Sequence, residues 1–143
     1  MGLDLNEWQG RGWDRLWRKY AAKAMEKDPS VYSFGSKEKY GELRMELSPC
    51  DLDIEDACMI ESRYTCFRCG AQPVNQQGEH YIQTTKGWIT PLCPFCAKAM
   101  GEDTDTEVMV NNRSHFTFFE GHTEKKGYWE WGKDGELTRH TED

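Results

Sequence analysis

The chain has 143 residues, a formal net charge of −7, a mean hydropathy of −0.87 and 13% aromatic residues, six of them Trp. No apolar run nears the roughly 20 residues that cross a bilayer, and MGLDLNEWQGRGW at the start lacks both a signal-peptide pattern and the Ser or Thr of a myristoylation site, so a cytoplasmic protein with no membrane partner is expected. The acidic total argues against broad nucleic-acid binding but leaves room for a local basic patch, because residues 1–40 carry eight Lys/Arg against six Asp/Glu.

Trp13, Leu16, Trp17, Tyr20, Ala21 and Ala24 recur at helical spacing, which predicts an amphipathic helix over 13–27. Pro29 closes it. Arg15, Lys19, Lys23 and Lys27 stand four apart and share its polar face, either a solvated surface or one that meets an anion. Residues 30–35 (SVYSFG) and 42–47 (ELRMEL) read as strands, the second with Leu43, Met45 and Leu47 on one side, and KEKYG as the turn region between them. SPCD at 48–51 reads as a helix start, with Ser48 as N-cap, Pro49 as first helical residue and Asp51 near the positive end. Cys50, Ile54, Ala57 and Cys58 then share a face, and both cysteines are expected to pack as small apolar residues.

Cys-x-x-Cys occurs twice, in TCFRCGAQP (65–73) and PLCPFCAKAM (91–100). Each such turn aims two sulfurs one way, so Cys66, Cys69, Cys93 and Cys96 can complete a tetrahedral thiolate shell that suits one Zn2+ ion. Gly70 allows the positive φ such a turn needs, residues between the pairs can form a hairpin, and AKAM after the second pair is helix-prone. The order resembles a treble-clef or zinc-ribbon finger. A redox pair would need a thioredoxin-like context that is absent here. Disulfides are disfavoured in a cytosolic chain. A rubredoxin-like iron site would carry Gly after each pair, where Ala97 follows Cys96. Four thiolates also leave no open position for catalysis, so the ion is expected to be structural, worth on the order of 10 kcal/mol of folding free energy. Arg68, Lys86 and Lys98 lie near the cysteines in sequence and could offset the shell's negative charge.

GEDTDTE at 101–107 reads as an acidic connector without core. Beyond it, two strand-like runs flank a turn at Asn111-Asn112, GKDG at 132–135 resembles a hairpin turn, and Phe116, Phe118, Phe119, Tyr128, Trp129 and Trp131 are strand-prone. The expected fold is therefore α+β, a small zinc-stabilised domain. Residues 1–100 form an N-terminal helix, a short hairpin and the finger. Residues 108–143 form an aromatic β-meander packed on the same domain.

Enzymatic signatures are weak. An HNH-type nuclease would use His80 between the Cys pairs, but Glu79 precedes it and no Asn or second His follows at the spacing needed. His115, His122 and His140 with Glu120 could make a second metal site, although scattered His residues in a strand-rich tail are more often surface or packing residues. No Ser-His-Asp pattern, P-loop or dinucleotide fingerprint is present.

KEKYGELR at 37–44, Ser62, TCFRCG at 65–70, Gly87-Trp88 and LCPFC at 92–96 follow one another in an order that resembles a group of small phage and prophage proteins of uncharacterised activity. Met45 stands where that group has an aromatic residue, and the stretch from 101 onward has no counterpart in it. The resemblance implies the cytoplasm of a host bacterium and a role in anti-defence or host takeover. The favoured reading is a non-enzymatic interaction protein that binds and modulates a host protein through Trp8, Trp13, Trp129 and Trp131, Trp being enriched in binding hot spots. It requires a contiguous exposed apolar patch. The alternatives are a nucleic-acid-binding finger using Arg15, Lys19, Lys23, Arg68, Lys86 and Lys98, and the HNH-like nuclease.

Overall fold

Helix α1 (Asp14–Lys27) forms where the aromatic periodicity places it, and Asp28 leaves the helix in an extended conformation ahead of Pro29. The computed structural model describes residues 12–142, the side chain of Phe34 excepted; Trp8 lies outside them. Leu16, Trp17, Tyr20, Ala21 and Ala24 are buried along one stripe of α1. Trp13 is the N-cap residue and supplies no side-chain cap; its indole is fully buried and donates its N–H to the Thr65 carbonyl at 3.1 Å.

Strands β1 (Tyr32–Lys39) and β2 (Glu42–Ser48) form an antiparallel hairpin. KEK, expected in the turn, belongs to β1. Lys39 pairs with Glu42, so only Tyr40 and Gly41 turn the chain, at φ 56° and 76°. Two residues with positive φ match the right-handed twist of the flanking strands. Leu43, Met45 and Leu47 are buried, as their alternation requires.

Helix α2 (Leu52–Arg63) starts later than expected. Ser48 is held in β2 opposite Tyr32, and Asp51 is the N-cap. The Asp51 carboxylate accepts the Ile54 N–H at 3.2 Å, and Glu55 accepts the Asp51 N–H at 3.0 Å. Cys50 is therefore exposed in the link between β2 and α2 and is not a core residue, whereas Cys58 is fully buried on the helix face with Ile54 and Ala57.

Strands β3 (Tyr81–Thr85) and β4 (Pro91–Leu92) lead into α3 (Pro94–Met100), and β5 (Thr104–Val108) returns beside β3. The 101–107 stretch is thus largely an edge strand and not a loose connector. Its polar side chains stay at the surface while its backbone completes the order β4-β3-β5. A single 3-10 turn (Val110–Asn112) precedes the meander of β6 (Arg113–Glu120), β7 (Thr123–Trp131) and β8 (Leu137–Glu142), all antiparallel.

The protein is an α+β fold whose main core gathers α1, β2, α2, β3 and the meander. Trp129 and Trp131 are 3% and 6% exposed within it and Trp13 is fully enclosed, so none of the three is a surface anchor. Each contributes roughly 1.5–3 kcal/mol or more by leaving water. A carboxylate network ties the helices together. Glu61 of α2, 3% exposed, accepts from Tyr20 Oη at 2.7 Å, Lys19 Nζ at 2.9 Å and Gln72 Nε2 at 2.8 Å. Burial works against the Lys19 ammonium, but Glu61 and Glu136 outweigh it and raise its pKa; burial beside Glu61 also pushes Tyr20 up.

Candidate metal centre

The first Cys-x-x-Cys turn follows α2 directly. Gly70 N–H closes it on the Cys66 carbonyl at 2.9 Å, and Cys66 N–H bonds the Ala71 carbonyl at 2.8 Å. The second pair opens α3: Cys93 is the N-cap, its sulfur accepts the Cys96 N–H at 3.4 Å, and Pro94 occupies the first turn, where no N–H is needed. Phe67 N–H donates to the Pro91 carbonyl at 2.8 Å and so links the two turns through β4.

The structure brings Cys66, Cys69, Cys93 and Cys96 together with all four sulfurs within 4.8 Å of one another, and none is in a disulfide. Cys69 and Cys93 are 3.7 Å apart. A tetrahedron of metal–sulfur bonds near 2.3 Å has edges of about 3.8 Å, so the Cys69–Cys93 separation matches one such edge, and the four cysteines could hold a metal ion. Cys66, Cys93 and Cys96 are buried with Leu92 and Ala97 in a small second core, and Cys69 faces solvent.

The thiols are electrostatically unequal. Burial disfavours the Cys66 thiolate, but backbone N–H groups of Cys93, Cys69 and Arg68 prevail and bring its pKa to about 7. Burial, with hydrogen bonds from the neighbouring sulfurs, pushes Cys96 up to about 12, and burial also raises Cys69. The Cys66 thiolate is thus available near neutral pH, and an arriving cation must displace protons from Cys69 and Cys96.

A close approach ties the centre to the main core. Gly12 N–H bonds the Phe67 carbonyl at 2.7 Å, and the Trp13 and Phe67 rings meet edge to face at 4.9 Å. A Cβ on Gly12 would collide with the Cys66 carbonyl and lie 2.6 Å from Gly70 N; one on Gly70, at φ +82°, would lie 2.9 Å from the Gly12 carbonyl.

Carboxylates pair with three of the basic residues. Lys86 pairs with Asp103 at 3.4 Å and Asp105 at 3.9 Å, Lys19 with Glu61 and Glu136, and Lys23 with Glu136 at 3.2 Å. Arg68 and Lys98 are exposed on the first turn and on α3. Arg15, Arg18 and Lys19 line a cavity of about 710 Å3 that also includes Cys69 and Glu61.

His80 is half-buried, and its ring stacks on Trp131 at 3.6 Å and 28°. Among the described residues the four cysteines are the group of metal-ligating side chains that converges. Among the described residues His115, His122, His140 and Glu120 do not gather into a second site, in line with the reading of scattered His residues as surface or packing residues. The rings of His115 and His140 flank Tyr128 at 5.6 and 4.9 Å, and His115 Nε2 lies 3.3 Å from Glu142.

Sequence reasoning missed an exposed apolar face. Trp88 is 81% exposed, Tyr40 72% and Ile89 44%, and they line a cavity of about 360 Å3 with Glu38, Lys39 and Gly87. The signal was available: Tyr40 stands in the β1–β2 turn and Trp88 beside Gly87 in the β3–β4 turn, where side chains cannot reach the core. The two turns touch, since a Cβ on Gly41 would lie 2.8 Å from Ile89 Cγ2. Comparison of the chain with family models, with curated proteins and with solved structures yields no match.

Proposed function

We propose that this chain is a zinc-stapled interaction protein that binds a protein partner through the face formed by Tyr40, Trp88 and Ile89. The observation that carries the reading is the contiguity of that face: two large aromatic side chains and an Ile stand exposed on two abutting turns. Trp and Tyr anchors dominate binding energy at interfaces, and leaving them in water has a cost that a partner removes. The site expected on Trp13, Trp129 and Trp131 is thereby transferred to residues that solvent reaches.

Zinc is the ion that fits the shell best. Four thiolates favour zinc or iron, and the second pair opens a helix with Ala97 where an iron turn has Gly. The full shell supports a structural role. No helix among the described residues is long and apolar enough to cross a membrane. In the phage setting that the motif order implies, the partner is a host protein in the bacterial cytoplasm, and modulating it serves anti-defence or host takeover.

The test compares capture from bacterial lysate by the wild-type chain and by Trp88→Ala combined with Tyr40→Ala, read by quantitative mass spectrometry. The captured protein is then purified and titrated against both. Loss of the two anchors should weaken binding by roughly 30-fold or more, as for hot-spot truncation. Equal affinity for both chains sinks the reading.

A further inference from the structure

The acidic edge of the small sheet has a free side. β5 pairs with β3 on one side, and among the described residues no strand pairs with it on the other. Which groups are free follows from two hydrogen bonds: Lys86 N–H donates to the Asp103 carbonyl at 3.0 Å and Met109 N–H to the His80 carbonyl at 2.9 Å. Residues 103 and 109 therefore turn their backbone groups toward β3, as do 105 and 107 by alternation. The N–H and C=O groups of Thr104, Thr106 and Val108 point outward.

The charged side chains along that edge are mostly acidic. Glu102, Asp103, Asp105 and Glu107 are exposed, and Lys86 is the cation that reaches any of them among the described ion pairs, touching Asp103 and Asp105. Acidic side chains on an edge repel a second copy of the same strand, which guards against self-pairing. They do not repel a basic strand, and in that case the repulsion becomes selection. The edge is also continuous with the aromatic face: Glu107, Thr84, Tyr40 and Ile89 line one cavity of about 260 Å3, in which Arg63 pairs with Glu42 at 3.6 Å.

We infer that β5 is an acceptor edge for a basic strand of the partner protein, adding it to the order β4-β3-β5 through the outward groups of Thr104, Thr106 and Val108. This rests on the interaction reading above and names the partner's chemistry: an extended segment with Lys or Arg on the side that meets Asp105 and Glu107, attached to an apolar surface that meets Trp88. Main-chain hydrogen bonds supply affinity in such strand addition, and the side chains supply choice.

The test uses the full metal-loaded chain and three synthetic heptapeptides: alternating lysine and valine, alternating lysine and proline, and alternating glutamate and valine. Backbone amide spectra and hydrogen exchange are read residue by residue. The lysine–valine peptide should shift and protect the amides of Thr104, Thr106 and Val108, and protection should fall as salt rises. The lysine–proline peptide carries the same charge but lacks every second backbone N–H and cannot complete a strand ladder, so it should give no protection, and the glutamate–valine peptide should not bind. Asp105→Lys with Glu107→Lys, both at the surface, should weaken the lysine–valine peptide by about tenfold or more while leaving the remaining spectrum dispersed. Equal effects from the lysine–proline peptide, or shifts spread over other acidic surfaces, overturn the inference. Trp88→Ala separates the two proposals: it should leave peptide protection at β5 intact while reducing capture of the whole partner. If Trp88→Ala reduces capture but no peptide protects β5, the edge inference alone fails. If neither effect is seen, both fail.

Discussion

A methyl group at position 12 has nowhere to go. The atoms it would meet are backbone atoms of Cys66, Phe67 and Gly70, which no side-chain rotation can move aside. Gly12→Ala should therefore displace either the first Cys-x-x-Cys turn or the start of α1, at a cost of about 2–4 kcal/mol, in the range of strained or overpacked sites. Thermal unfolding and chelator competition would read the loss in stability and in metal retention together; an unchanged midpoint and an unchanged metal affinity would contradict the contact. His80 gives a second prediction. Its ring lies on Trp131 with Nδ1 buried and unpartnered, and burial holds its pKa below the ordinary 6.5. A histidine kept neutral by folding contributes stability that is complete above 6.5 and is lost as pH falls through its lowered folded value. His80→Phe should therefore lose less stability than wild type between neutral pH and pH 5, measured by denaturant unfolding at each pH, and parallel curves would show that the ring is not held neutral. The cysteine ligands were legible because thiolate pairs at this spacing have few other uses. Gly12 was not, since its neighbours are remote in sequence. Trp129 and Trp131 were legible in principle: two residues apart on a strand, they share a face, and a strand packed on a core hides one face.

At the scale of elements, the competition between Ser48 and Asp51 for the N-cap of α2 is decided by the sheet. Both residue types cap helices well, and SPCD offers either. Pairing with Tyr32 extends β2 through Ser48, which leaves Asp51 as the first residue whose carboxylate can reach an unpaired helix N–H. Asp51→Ala should cost about 1 kcal/mol, and Ser48→Ala should show no capping loss; the two denaturant midpoints decide between these assignments. The same logic explains β5. TDTEV has neither the apolar alternation nor the turn residues that mark a buried strand, and it becomes a strand because β3 presents an edge to it. In the first hairpin the two-residue turn at Tyr40-Gly41 carries β1 through KEK, so a charged run became strand and its tip became the aromatic face. Elements set by local periodicity, such as α1 and β2, were readable. Elements set by a remote pairing partner were not.

For the whole molecule, the question is how far the fold depends on the zinc ion proposed for its four-cysteine cluster. Two clusters share the interior, a large one around the buried Trp residues and a small one around the cysteines. They are joined at Gly12, Trp13 and Phe67, and Trp13 belongs to the large one. A structural zinc ion contributes on the order of 10 kcal/mol at neutral pH, against a net stability of about 5–15 kcal/mol for a domain. Removing it should therefore loosen more than the finger: the Trp13 indole would lose its fixed Thr65 acceptor, and the start of α1 would lose the turn it rests on. The dependence on pH has a definite sign. With its pKa lowered from 9.0 to about 7, the Cys66 thiolate favours the folded chain fully above 9 and loses that contribution as pH falls through 7, and the remaining thiols must shed protons to bind the ion. Metal retention should accordingly weaken steadily as pH falls below 7. Chelator with reductant at neutral pH should collapse the near-ultraviolet circular dichroism of the buried Trp residues and lower the unfolding midpoint, and an equimolar return of zinc should restore both. If the aromatic signal survives chelation unchanged, the large cluster stands without the metal, and the ion serves to hold the finger and the Trp88 turn that grows from it.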